Sequence, residues 1–516
     1  MRKWFARFVS SEGRRASEEA RIAELLRRGS ECERGATHGE AEECFRQILA
    51  LRPEHPAARR DLAHLLALQA YAHQECGDFD SAIEGYEESL ALDNGQARVH
   101  NNLGNVYKNL GRLEDAVAAY REAIDHDAGM AEAHLNLGTT LYQLTGDTAQ
   151  AIAHCRTALE RRPSFAEASL NLGFLLEQAG DTPGATQCYR GAIAASPEFA
   201  EAHFNYALQL LLCGNYRIGW QEYEWRMRRP DLEQWRPHAG HIRWDGTALD
   251  GKVILIYAEQ GFGDVIQFAR YTTLVAERGG RVIVTCQPKL KALFKRVAGI
   301  SEVFDNSEAL PAFDVCCPLL SLPRIFETTL ETIPARVPYM HPDPEKALRW
   351  KVRLAADSAS MKVGLYWATD TKSRFAPLKS FTLDKLAPLA DIAGVAFYSL
   401  QRGAAAGQAA DPPPGMALVD LSAELADFSD DAALMANLDL VISIDTATAH
   451  LAGALGRPVW ILTHFPPEWR WLLGRDDSPW YPTVRLFRQG RAQAWEQVIA
   501  RVGDALRQFA GAERQA

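Results

Sequence analysis

A pattern that returns every 34 or 35 residues constrains this chain more than any other feature. Leu103-Gly104, Tyr107, Gly111, Ala116, Tyr120 and Ala123 come back as Leu137-Gly138, Leu141, Gly146, Ala151, Cys155 and Ala158. They come back again as Leu172-Gly173, Leu176, Gly180, Ala185, Tyr189 and Ala192. Steps from Gly104 to Gly138, Gly173 and Ala207 are 34, 35 and 34 residues. A period of that length is one helix–turn–helix unit: small Gly and Ala let two helices cross closely, large residues fill the gaps, and Gly and Pro end the helices. An earlier unit carries Ala70, Gly77, Ala82 and Tyr86, and a looser, out-of-phase one surrounds Ala41, Phe45 and Pro53. A last, altered one holds Ala207, Gly214, Gly219 and Tyr223. Stacked pairs of this kind build a superhelix with an extended concave face.

The chain has 516 residues and a net charge of −10, enough for several cores and unfavourable for a nucleic-acid binder. Its nine cysteines are scattered and lack metal-ligand spacing, Cys316-Cys317 included, which fits reduced thiols in a cytoplasmic protein. No apolar run is long enough for an integral membrane segment. The first ten residues are basic and amphipathic but lack the long apolar stretch of a signal peptide.

Aromatics crowd the end of the repeats (Trp220, Tyr223, Trp225, Trp235, Trp244), a composition suited to docking one domain on the next. Strand, glycine loop and helix then follow in Gly251–Tyr271, with further apolar stretches at Val282–Cys286, Val303-Phe304 and Val315–Leu320. Pro-rich 334–344 is the expected hinge. A second α/β unit runs from Val363 through Val395–Leu400, Leu440–Ile444 and Val459–Leu462 to a closing helix at 495–509. Within it, Leu440–Ile444 reads as a strand buried on both faces, Asp445 and Thr446 as N-cap types, and Ala447–Leu455 as a helix stopped by Gly456 and Pro458. Free amides and the helix dipole at such a corner suit a diphosphate.

The repeat pattern resembles the tetratricopeptide repeat. Glu259-Gln-Gly-Phe-Gly-Asp264 with Gln267, Phe268, Arg270 and Tyr271 resembles the first loop of a bacterial family that fuses such repeats to a GT-B glycosyltransferase. The runs Asp445-Thr-Ala-Thr-Ala-His450-Leu-Ala-Gly-Ala-Leu-Gly, Trp469-Arg-Trp471, Ser478-Pro-Trp-Tyr-Pro482 and Arg485-Leu-Phe-Arg-Gln489 match as well. The catalytic half is similar to heptosyltransferases of glycosyltransferase family 9, and the overall plan to O-linked N-acetylglucosamine transferases, including bacterial relatives that modify flagellin. The fold class so implied is α + α/β: a tetratricopeptide-repeat α-solenoid followed by a GT-B pair of doubly wound Rossmann-like domains. The expected layout is a helical extension at 1–34, the solenoid at 35–228, an acceptor-side α/β domain at 229–340 and a nucleotide-sugar donor domain at 341–516.

Glycosyl transfer needs a base for the acceptor hydroxyl and groups that hold the leaving nucleoside diphosphate. The resemblance assigns the base to Asp264, whose other reading is a helix N-cap carboxylate. Glu259 is the second-choice carboxylate. Gly261 and Gly263 let backbone approach a ligand or only make a tight turn. On the donor side Thr446, Ala447 and Thr448 offer amides to the pyrophosphate, Asp445 meets the sugar, and His450 reaches the ribose or base or else is a core residue. Lys372 and Arg374 would neutralise phosphate charge, and Gln401 would contact base or ribose. Trp469-Arg470-Trp471 would stack on the donor or pack between domains. With no Asp-x-Asp in the C-terminal half, neither a metal nor another cofactor is expected. Asn101, Asn102, Asn105, Asn136 and Asn171 recur on the first helix of the repeat, where asparagine either clamps an extended peptide or is merely polar surface.

One departure stands out. The loop Trp367–Leu378 lacks the Gly-Asn after tryptophan and the Arg-Ser pair associated with this family, and Phe375 replaces that serine. The expected function is transfer of a sugar from a nucleotide sugar to a Ser/Thr hydroxyl of a protein, flagellin-like by resemblance, held by the repeats. The alternatives are a protein-binding scaffold with a degenerate transferase half, a heptosyltransferase-like glycan-assembly enzyme, and a sugar-nucleotide epimerase of the same fold.

Overall fold

The computed structural model describes residues 2–230, 238, 240–369 and 376–513, with side chains from 15 to 511. The chain divides into two compact units, 1–176 with 194–196, and 177–193 with 197–516.

The first unit is helical: α1 (Arg2–Arg34), α2 (His38–Leu51), α3 (Pro56–Glu75), α4 (Phe79–Leu92), α5 (Ala97–Asn109), α6 (Leu113–His126), α7 (Ala131–Thr145), α8 (Thr148–Arg161) and most of α9 (Ala166–Gln178). Ile22 and Leu25 of α1 share a core with Ala41, Phe45 and Ile48 of α2, so the second half of α1 behaves as a member of the stack rather than as an appendage. The turns between paired helices carry Gly77, Gly111 and Gly146 at φ 78°, 74° and 72°, a left-handed geometry that costs glycine little. Gly104 has a different duty. A Cβ there would lie 2.6 Å from Cε1 of Tyr120, so the closeness of α5 and α6 depends on its absence.

The second unit begins with α10 (Thr182–Ala195), α11 (Ala200–Leu212) and α12 (Tyr216–Tyr223). Two parallel sheets follow. The first comprises β1 (Val253–Tyr257), β2 (Arg281–Cys286), β3 (Glu302–Asp305) and β4 (Val315–Pro318), in the order β3-β2-β1-β4. The second comprises β5 (Met361–Tyr366), β6 (Val395–Ser399), β7 (Leu418–Asp420), β8 (Leu440–Ile444), β9 (Val459–Thr463) and β10 (Val484–Arg488), in the order β10-β9-β8-β5-β6-β7. Both sheets reverse direction of growth beside their first strand, between β1 and β4 and between β5 and β8. Doubly wound sheets open their ligand crevices at such points.

Helices α11 and α12 belong with the sheets because their faces are continuous with the sheet core. Leu211, Leu212, Tyr216, Trp220 and Tyr223 pack in one cluster with Ile254, Phe268, Trp469 and Trp480. Trp220 meets Trp469 edge-on at 5.4 Å, and Trp480 Nε1 donates to Tyr216 Oη at 3.1 Å. Of the expected docking aromatics, Trp225 instead stacks on His203 at 3.8 Å, Trp244 bonds the Thr247 carbonyl, and Trp235 lies outside the described residues.

Gly104→Ala should cost about 1–3 kcal/mol in urea unfolding of the first unit, because the Tyr120 ring has to shift. Gly39→Ala, where nothing lies within 4 Å, should be neutral or stabilising.

Candidate functional site

The carboxyl edge of the first sheet is plugged. Arg226, fully buried just after α12, donates Nη2 to Glu259 Oε1 (2.6 Å) and to Ser321 Oγ (2.9 Å), and Nη1 to Glu224 Oε1 (2.8 Å) and the Tyr223 carbonyl (3.1 Å). Glu259 also accepts from the Leu320 amide at 3.3 Å. The reversal point between β1 and β4 is therefore filled by protein, and Glu259, expected as a second cleft carboxylate, is sealed in an ion pair away from solvent. Sequence reading missed Arg226, whose partners lie 33 and 95 residues away.

Past β1 the chain turns through Gln260 at φ 68°, its amide bonded to Tyr223 Oη, and enters α13 (Phe262–Phe268). Asp264, in the first turn, accepts the Gly261 amide on Oδ2 at 3.0 Å, the bond expected of its helix-capping reading. Its Oδ1 accepts Arg470 Nη2. Arg470 also donates to Glu468 and, at 2.6 Å, to Gln267 Oε1. Trp469 and Trp471 are buried; Trp469 and Arg470 both line a cavity, and Trp471 lies away from it.

At the second sheet's reversal point, Asp445 follows β8 and accepts Lys379 Nζ at 2.7 Å. Burial alone would raise its carboxyl; Lys379 and His450 outweigh that and hold it well below the usual range. Thr446 and Ala447 are half-buried and Thr448 is buried at the start of the helix Ala447–Ala454. Gly263 lies against this helix, since a Cβ on it would be 2.9 Å from His450 Cδ2 and 3.6 Å from the Ala447 amide nitrogen. The close approach that Gly263 permits is thus helix to helix, whereas Gly261 is exposed. His450 bonds Tyr481 Oη through Nδ1 at 3.0 Å and stacks on Trp471, the arrangement of a core residue. Gln401 is likewise committed. It accepts the Trp367 and Ala368 amides (3.0 and 2.9 Å) and donates to the Ala368 and Arg402 carbonyls (both 2.8 Å), so its reading as a ligand contact is corrected to a clamp on the loop after β5. Lys372 and Arg374 lie outside the described residues. Lys379 is the cation that the described part of this loop brings to Asp445.

That cavity, of about 450 Å³, takes in part of this set, Asp264, Lys379 and Arg470, while Asp445, Thr446, Ala447, Thr448 and His450 are not among its lining residues. Gln260 and Asp264 form one side, Lys379, His464 and Glu468–Arg470 a second, and Phe204, Leu208, Gln209 and Tyr223 of the last helices a third. Among the described residues, three cations (Arg229, Lys379, Arg470) and three acids (Glu177, Asp264, Glu468) meet there in a pocket of ligand-binding size.

The asparagines of the first unit are partly tied to one another. Asn136 Nδ2 donates to Asn101 Oδ1 (3.0 Å) and Asn105 Oδ1 (3.1 Å), and Tyr120 Oη donates to Asn105 Oδ1 (2.8 Å). Asn102 is half-buried, and Asn171 donates to the Glu167 carbonyl one turn back at 2.8 Å. Among the described residues His100, Glu122 and His126 bring three possible ligand atoms within 4.8 Å of one another, with His100 Nε2 bonded to the Asn94 carbonyl.

Comparison with known proteins adds the following. Family models described as tetratricopeptide repeat match residues 101–164 and 144–203, and one described as TPR repeat matches 70–111. The N-terminal region is therefore a tetratricopeptide-repeat array, and a parallel-sheet α/β region follows it. Protein FlbA of Caulobacter vibrioides is 31% identical over 334 residues, which cover 59% of this chain and 54% of that protein. The chain thus spans about half the length of this curated relative. Among solved structures, MamA is similar over 32% of this chain and 96% of its own (22% identity, TM-score 0.29). YrrB, described as a TPR protein with an unusual peptide-binding site, is similar over 39% and 99% (20%, 0.31). PilF of Pseudomonas aeruginosa is similar over 41% and 93% (20%, 0.32). No described helix is long and apolar enough to cross a membrane.

Two histidines make the second unit acid-sensitive. Burial, with Arg470 adding repulsion, lowers His450 to about 3; burial, with Lys379, lowers His464 to about 4. Both are neutral in the folded state at pH 7, while the unfolded chain protonates them near 6.5. Their stabilisation is complete above that value and is lost as pH falls toward the folded values. Thermal unfolding at about pH 5 should show a loss of about 4 kcal/mol relative to about pH 8, roughly half of it removed by His450→Gln. Arg226→Ala, which strands Glu259, should cost about 3–5 kcal/mol in urea unfolding of the same unit.

Proposed function

We propose that this protein is a metal-independent GT-B glycosyltransferase that moves a sugar from a nucleotide sugar to a Ser/Thr hydroxyl of a protein held by its repeats. One observation carries the reading. The loop after β1, with Asp264, and Lys379, which pairs with Asp445 at the reversal point of the second sheet, border a single cavity that also holds Arg470. Lys379 and Arg470 supply the positive charge a leaving diphosphate needs, without a metal. Asp264 supplies a carboxylate for the acceptor proton. In the present arrangement Arg470 neutralises that carboxylate. A diphosphate competes for Arg470, so donor binding itself releases Asp264 to act as the base. The repeats, which bind proteins or peptides in many contexts, present the acceptor.

A second reading, a protein-binding scaffold with a silent α/β half, is favoured by the same ion pair and by the packing of Gly263 on the start of the Ala447 helix, which together narrow the access to the backbone amides there.

Thermal unfolding with UDP, GDP, ADP and CMP series separates the two. A donor at about a hundredfold over its dissociation constant should stabilise the second unit by about 2.7 kcal/mol. Asp264→Asn should then reduce transfer about 10²- to 10⁴-fold while the donor still binds. Silence across the series sinks the transferase reading and leaves the scaffold; unchanged transfer by Asp264→Asn removes its role as base.

A further inference from the structure

The third wall of the charged cavity comes from the helical repeats, and its chemistry differs from that of the other two. The sheet-borne sides carry Lys379, Arg470 and Asp264, whereas the helical side presents Phe204, Leu208 and Leu212 around the amide of Gln209 and the carboxyl of Glu177, with the cation of that side, Arg229, held over the Phe204 ring at 4.9 Å. Such a surface, apolar with a few fixed hydrogen-bonding groups, suits a ring with C–H faces and hydroxyl edges better than a phosphate.

Gln209 is 1% exposed and its Oε1 has no hydrogen-bond partner; His464, 7% exposed and lining the same cavity, is unpartnered at Nδ1. A buried acceptor left unpaired costs stability, which a bound donor returns. Around Gln209 the other bonds are made. Its amide nitrogen donates to Glu177, and Tyr189 Oη donates to Glu177 Oε2 at 3.0 Å. Burial raises the Glu177 carboxyl above its ordinary range. Tyr189 and Glu177 thus hold the Gln209 amide with its oxygen left over.

We infer that the last repeats form the sugar-binding wall of the site, with Gln209 Oε1 and His464 Nδ1 taking hydroxyls of a polyhydroxylated group whose diphosphate lies toward Lys379 and Arg470. This deepens the transferase reading and rests on it. Specificity for the sugar then resides in the solenoid's end, while affinity for the nucleotide resides in the sheets.

The test is calorimetric titration of the full chain with the nucleotide sugar that stabilises it and, separately, with the matching nucleotide. Gln209→Leu should weaken nucleotide-sugar binding about tenfold and leave the nucleotide within about twofold of wild type. Glu177→Gln, which retains size and most bonds, should show the same selective loss in smaller measure and serves if Gln209→Leu does not fold. Equal losses on both ligands, or none on either, overturn the inference while nucleotide-sugar binding by the wild type keeps the transferase reading. A wild-type chain that binds no UDP-, GDP-, ADP- or CMP-sugar overturns both.

Discussion

The Arg226 guanidinium is the tie on which the second unit depends. A buried arginine is stable only where its charge is matched, and here Nη1 and Nη2 find partners from three places: the end of α12, the loop after β1 and the loop after β4, while Nε has none. Two hydrophobic surfaces could slide over one another; a guanidinium with four fixed acceptors allows one register. It also occupies the crevice that a doubly wound sheet opens at its reversal point. Among the described residues the crevice at that point is occupied by this ion-pair cluster, and a cavity lies beside Asp264 and Arg470.

That displacement explains the character of the charged site. Arg470 reaches Asp264 across 206 residues of sequence, and Lys379 reaches Asp445 across 66. Each carboxylate stands at a strand–helix corner, and each receives a cation from a short helical turn of the second α/β part, Lys379 from Ala376–Lys379 and Arg470 from Trp469–Trp471. Exchange of an acid's partner for a phosphate therefore demands movement of long side chains, with the sheets untouched.

Much of the fold was legible in the sequence because its signals are local. Gly111, Gly146 and Gly180 mark turns 35 and 34 residues apart, and runs such as Leu440–Ile444 have the nearly continuous apolarity of strands covered on both faces. Asp264 and Asp445 are singled out by the resemblance of their strand–turn–helix loops, and the structure places both at such corners. What escaped reading is what depends on side-chain direction or on distant partners. Gln401 does follow a strand, yet it turns back to the amides of Trp367 and Ala368, and nothing in its position says so. The recurrence of asparagine at Asn101 and Asn136 is equally the mark of a peptide clamp and of a ladder between neighbouring repeats; the bonds show the ladder. Arg226 had no local signal, since an arginine after a helix is ordinarily a solvated one.

The division of the chain inside the repeats, near residue 177, rather than at their end, has an evolutionary consequence. Solenoid stability is a sum of neighbouring terms, so units upstream of that point are free to multiply, vanish or diverge while each new neighbour still fits. Helices α11 and α12 have no such freedom. Their Tyr216, Trp220 and Tyr223 are core residues of the sheets, and a change in them is felt by Trp469 and Trp480. A lineage of such proteins is therefore expected to vary in the length of its receptor-like portion while inheriting the last two helices with the α/β half as one indivisible block.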